Sequence, residues 1–146
     1  MNTSPSFLSP WQPQLLALLR IVTGYMFLLH GASKLLHWPH VAMFDKLDPF
    51  TLIGFAGVLE LVGGFLILIG LFTRPVAFIL SGEMAAAYFI GHASRGSPAL
   101  PMLNQGELAV EYCCVFLYLA AAGAGAWSVD NGLARSRPAH ATRSVS

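Results

Sequence analysis

An all-α integral membrane protein, a bundle of four helices joined by short loops, is the fold class that three observations predict. Only 10% of the 146 residues are charged while 55% are hydrophobic, and the mean hydropathy is +0.63; a water-soluble domain carries about 25% charged residues because its surface must be solvated. Four apolar stretches are each close to the roughly 20 residues that cross a bilayer's hydrocarbon at 1.5 Å rise per residue. Proline and glycine punctuate the gaps between them, at Pro39, Pro49, Pro75, Pro98 and Pro101, as helices with tight connections require. The period-two alternation of a membrane barrel is absent. A formal net charge of +1 supplies no basic field for a phosphate backbone, which excludes nucleic acid as a partner.

The first span is predicted over 14–36. Its leader contains no Lys or Arg, and Arg20 interrupts the apolar run, so it reads as a retained helix and not as a cleaved signal peptide. At 100° per residue Arg20, Gly24, Phe27, Gly31 and Lys34 fall on one line, with His30 to its side. The second span is predicted over 50–72, where Gly57, Glu60 and Gly64 share a face that lets a neighbouring backbone approach beside the carboxylate. The third, 75–92, carries Glu83 near its middle and His92 at its end. On the fourth, 106–127, Glu107, Glu111, Cys114 and Tyr118 form a helical stripe, read here as an inner face. Residues 1–134 thus make one transmembrane domain, and 135–146 a disordered polar tail.

Trp11, Trp38 and Trp127 fall at span ends, where an amphipathic ring settles among lipid headgroups. Four spans put both termini on one side, together with Arg74, Arg135, Arg137 and Arg143 and close to Arg20; the other side holds Lys34, Lys46 and Arg95. The positive-inside rule then places both termini in the cytoplasm.

An ionisable group at mid-helix costs about 2.5–3.5 kcal/mol on insertion scales, so it must face the bundle interior and find a partner. The candidates for proton or ion-pair roles are Arg20, His30, Lys34, Glu60, Glu83, Glu107 and Glu111. Depth along the helices pairs Arg20 with Glu83 or Glu60, and Lys34 with Glu107 or Glu111. Such pairs serve equally well to fix which helix packs on which, and Lys34 and Glu107 lie close enough to the interface to snorkel. Glu60, with Gly57, Gly63 and Gly64 opening space around it, is the carboxylate that leans toward function. His30 suits proton handling by its ordinary pKa, although a lone histidine on a helix side is more often simply hydrogen-bonded. Cys113 and Cys114 are read as two buried small hydrophobes. They make neither a disulfide framework nor zinc spacing, and His37 and His40 around Trp38-Pro39 are not assigned a metal.

Four motifs in order resemble those of the DoxX family of small four-helix bacterial membrane proteins, from about Leu16 to Asp130. Helix one carries Arg20, Gly24, His30, Gly31 and Lys34 in the family's Leu-Arg…His-Gly-x-x-Lys pattern. Helix two carries Glu60, Gly63, Gly64 and Gly70 and closes on Thr73-Arg74. Helix four starts Gly106-Glu107 and ends in a Gly-x-Gly-x-x-Ser-x-Asp run, with Ala124 where relatives often have proline. The resemblance implies a multi-pass protein of the bacterial inner membrane, related to the membrane subunit of a thiosulfate:quinone oxidoreductase and to thiol-stress systems. It implies no established catalytic residue. No flavin fingerprint or cysteine-rich cluster motif is present, so any oxidoreductase work takes its electron carrier from quinone or from a soluble redox partner protein. Tyr25, Tyr88, Tyr112 and Tyr118 are the hydroxyls that could meet a quinone's oxygens. The alternative is a non-enzymatic anchor for soluble partners or, ranked behind it, a small carrier; a homo-oligomer is compatible with each.

Overall fold

The computed structural model describes residues 7–136, which are helical with no strand among them. A 3-10 turn at Ser9–Trp11 leads into α1 (Gln12–Leu35); α2 is Leu52–Ile69; α3 is Thr73–Ala87, prolonged by a π turn at Tyr88–His92 and a 3-10 turn at Ala93–Arg95; α4 is Glu107–Ala122; and a short α5 is Val129–Arg135. Three of these segments, Ser9–Leu35, Leu52–Ile69 and Thr73–Arg95, are long and apolar enough to cross a membrane. With 16 residues, α4 spans about 24 Å. The apolar stretch continues to Trp127, but the helix does not: Gly123, Gly125 and Trp127 all take positive φ angles, and the chain turns back. Residues 137–146, with Arg137 and Arg143, lie outside the described residues.

The α1–α2 pair is antiparallel and its closeness comes from glycine. A Cβ added at Gly24 would lie 2.6 Å from the Leu68 nitrogen, and one at Gly31 would lie 2.2 Å from the Leu61 nitrogen. In the other direction a Cβ at Gly64 would lie 2.5 Å from the Leu28 nitrogen. The two backbones therefore touch, the usual way helices associate where lipid removes any hydrophobic drive between them. On the other side of α2, Gly63 receives Leu80 of α3. The core beyond is formed by Phe27, Ile67, Leu80, Met84, Tyr112, Phe116 and Leu119, with the Phe27 ring 4.8 Å from Phe116 and 5.1 Å from Tyr112. The outward faces are apolar as well, Phe55, Val62, Phe65, Phe78 and Ile79 being exposed, as a lipid-facing surface requires. Trp11, Trp38 and Trp127 are 59%, 67% and 70% exposed at helix ends, where headgroups would meet them.

The stripe expected to line the inside of α4 faces outward instead. Glu107, Glu111, Cys114 and Tyr118 are exposed, while Ala109, Tyr112, Phe116 and Leu119 are buried. Periodicity marks a stripe without giving its direction, and the aromatic line packs Phe27 far better than the polar one could. Cys113 is half-buried and Cys114 exposed, so the pair does not consist of two buried hydrophobes.

Arg20 is fully buried and hydrogen-bonds no carboxylate among the described residues. Its guanidinium donates to the carbonyls of Ile67 (2.7 Å) and Leu68 (2.5 Å) at the end of α2, and to Ala124 (2.8 Å) and Trp127 (2.9 Å) beyond α4. The expected pairing with Glu83 or Glu60 is thus replaced by main-chain carbonyls at the end of α2 and in the segment beyond α4. Arg74 does the same for α4, donating to Ala120 and Ala121. The Asp130 carboxylate accepts from the amides of Phe72 and Thr73 (2.8 and 2.9 Å) at the start of α3, where the helix dipole favours an anion.

Candidate functional site

At the opposite end of the molecule from Arg20, charge is set against charge. Glu60 sits halfway along α2, and Lys34 lies in the last turn of α1. Gly57 brings the two helices together there: a Cβ on it would lie 3.1 Å from the Lys34 Cβ. The lysine side chain therefore runs along α2, and its Nζ donates to Glu60 Oε1 at 2.6 Å, with the two side chains 13% and 4% exposed. The Phe44 ring, from the Ala42–Phe44 turn, lies 5.8 Å from the ammonium and covers it. Lys34 was expected to meet Glu107 or Glu111; both point away from the interior, and the glycine-lined α1–α2 contact supplies a closer carboxylate.

Two cavities adjoin this pair. One, of about 210 Å³, lies toward α4 and is lined by His30, Gln105 and Tyr112. The other, of about 390 Å³, lies between α2 and α3 and is lined by Glu83 and by Leu52, Phe55, Ile79 and Ile90, which are exposed on the outer surface. Lys34, Glu60 and His92 line both cavities. The pair is thus a charged partition between an interior pocket and a cleft that opens toward lipid.

The groups around the partition are only partly satisfied. Glu60 Oε2, both Glu83 carboxylate oxygens and the Tyr112 hydroxyl are buried without a hydrogen-bond partner among the described residues. His30 stands edge-on to the Tyr112 ring at 6.0 Å. His92 comes from the π turn, a deformation often found at functional sites, and its Nδ1 donates to the Asn104 carbonyl at 3.2 Å. Asn104 is the frame of that loop: its amide donates to Ser97 O (3.0 Å) and to the Tyr88 hydroxyl (3.2 Å), which itself donates to Pro98 O (2.7 Å).

Of the residues singled out from the sequence, His30, Lys34, Glu60 and Glu83 come together here. Arg20, Glu107 and Glu111 do not. Tyr112 lines the site, Tyr88 supports it through Asn104, and Tyr25 and Tyr118 face outward. Gln105 was missed. The polar Asn104-Gln105-Gly106 turn before an apolar helix was its only trace, and Gln105 reaches the cavity through a positive φ of 60°. In the first loop His40 bonds Asp45 at 2.9 Å on the exposed surface.

Orphaned polar atoms beside an apolar cleft suit a ligand with a polar head and a greasy body. A quinone answers to that description: in the cleft Lys34 offers a donor to a carbonyl, and the α2–α3 walls offer apolar surface to a ring and tail.

A family model described as DoxX matches residues 15–93, the stretch that carries His30, Lys34, Glu60, Glu83 and His92. An uncharacterized protein of Haemophilus influenzae is 49% identical over 129 residues, covering 85% of this chain and 94% of that protein. No solved structure matches the chain.

Proposed function

Since this chain belongs to the DoxX family, we propose that it is a membrane subunit of a quinone-linked or thiol and sulfur redox system, seated in the bacterial inner membrane with both termini in the cytoplasm. The observation that carries this reading is the Lys34–Glu60 pair standing between an interior pocket and a lipid-facing cleft. A charge pair used only to hold helices together has no need of cavities on both sides or of unpartnered oxygens beside it. Quinone, when bound, would supply two-electron and proton-coupled chemistry; the chain's own part is to orient the head group in the cleft with Lys34, to exclude water, and to relay protons among Glu83, Glu60 and, in the interior pocket behind the pair, His30 and Tyr112. The headgroup would enter between α2 and α3 directly from the bilayer.

A second reading, a membrane anchor for a soluble redox partner, draws on a different place. An open cleft of about 1200 Å³ at the Arg20 end is lined by Gln14, Arg74, Asp130 and Arg135, polar groups suited to a protein that approaches from the cytoplasm. The two readings are compatible, because an electron donor has to dock somewhere.

Gentle extraction of the tagged protein from its native membrane, followed by mass spectrometry of everything retained, tests the proposal. Quinone at near-stoichiometric level, or a co-purifying redox enzyme, supports the redox subunit. A bare chain, or only non-redox partners, refutes it.

A further inference from the structure

Glu60 and Glu83 line the same cleft, but their surroundings differ. Glu60 has the Lys34 ammonium at 2.6 Å. No described residue hydrogen-bonds either oxygen of Glu83, and both oxygens are shielded from solvent, with Leu59, Ile79 and Met84 lining the cleft beside it. The titratable and charged groups that face this region are His30 and Lys34 from α1, Glu60 from α2, His92 from the end of α3 and Tyr112 from α4. Together with Glu83 itself they make one cation and two carboxylates. Lys34 neutralises one carboxylate, by contact, and the other would be left as a second negative charge in an apolar wall.

An ionised carboxylate accepts hydrogen bonds and donates none, so without donors it is the costliest species to bury there. Two carboxylates in one site are commonly held in different protonation states by such a difference in environment. We infer that Glu83 is the neutral carboxylic acid of the site, facing an ionised Glu60–Lys34 pair, and that its O–H is the hydrogen-bond donor offered to a ligand carbonyl in the α2–α3 cleft. The neutral form turns an unsatisfied acceptor into the donor that a carbonyl-bearing head group requires. The assignment rests on the quinone reading for the ligand's identity, but not for the state of Glu83 itself.

Two measurements test it on the full chain. Infrared spectra of the purified protein in lipid nanodiscs, without added quinone, should show a protonated-carboxyl C=O stretch at neutral pH. Glu83→Gln should abolish this band and Glu60→Gln should keep it. Absence of the band, or its loss in Glu60→Gln alone, overturns the assignment. The second measurement is quinone retained after native extraction. Glu83→Gln, whose amide still donates, should hold quinone as the parent does, whereas Glu83→Leu should lose about tenfold, the worth of one buried hydrogen bond. Equal retention in Glu83→Leu overturns the donor role while the redox reading stands. A parent protein that carries no quinone overturns the redox reading, and the infrared comparison then decides the state of Glu83 separately.

Discussion

Two inward-turned cations on one helix, Arg20 and Lys34, do different work, and the chemistry of each head group explains why. A guanidinium presents five donors in a planar fork, and Arg20 uses it to reach four carbonyls drawn from the end of α2 and the segment after α4. A single ammonium cannot span those positions. Arg20→Lys should therefore destabilise the protein by about 3 kcal/mol, the loss of more than one charge-assisted hydrogen bond; an unchanged melting temperature in detergent would count against the anchoring role. Lys34 meets one carboxylate. Lys34→Met alone should cost about 3–5 kcal/mol by leaving Glu60 charged and unpaired, and adding Glu60→Leu should restore most of that loss. If the pair serves the site, the double variant should fold normally, by thermal melt, and yet lose bound quinone. Retention of quinone in the folded double variant would mark the pair as structural.

Among elements, the α1–α2 contact is the tightest and the most readable in advance. The helical spacing of Gly24 and Gly31, and of Gly57 and Gly64, marks a face made for backbone contact, and the structure brings these faces against each other. Gly31→Ala should destabilise by about 1–3 kcal/mol through overpacking, because its Cβ would lie 2.2 Å from a backbone nitrogen. Gly82→Ala, exposed on α3 with nothing within 4 Å, should instead stabilise by about 0.5–1 kcal/mol through helix propensity. Chemical denaturation of both variants in mixed micelles checks the contrast; equal effects would mean that the α1–α2 contact is looser than drawn. The fourth helix was less legible. In an apolar helix nearly every face is compatible with lipid, so hydrophobic periodicity alone could not tell that Tyr112 and Phe116 point in and Glu107 and Glu111 point out. Nor could it show the break after Ala122, where the carbonyls of Ala124 and Trp127 are drawn off to Arg20.

The whole molecule has two chemically distinct ends, and its placement in the membrane follows from them. The Arg20 end carries Arg74, Asp130 and Arg135 around an open cleft, and the Lys34 end carries the ion pair and the loops 36–51 and 96–106. If the positive-inside rule governs this chain, a single cysteine introduced at Ser97 in a background lacking Cys113 and Cys114 should react with an impermeant maleimide from the periplasmic side. One introduced at Asn131 should react only after the membrane is opened; the reverse pattern would invert the topology. Composition by itself determined the class of this protein, because so few charges cannot solvate a globule, and helical spacing determined which residues of α1 and α2 turn inward. The candidate residues were also legible, since a charge within an apolar run has to be accounted for. Their partners were decided only in three dimensions. Which carboxylate Lys34 meets depends on how closely glycine lets two helices approach, and whether Arg20 meets a carboxylate at all depends on where a distant helix ends. Those are distances between segments far apart in the chain, and no local pattern encodes them.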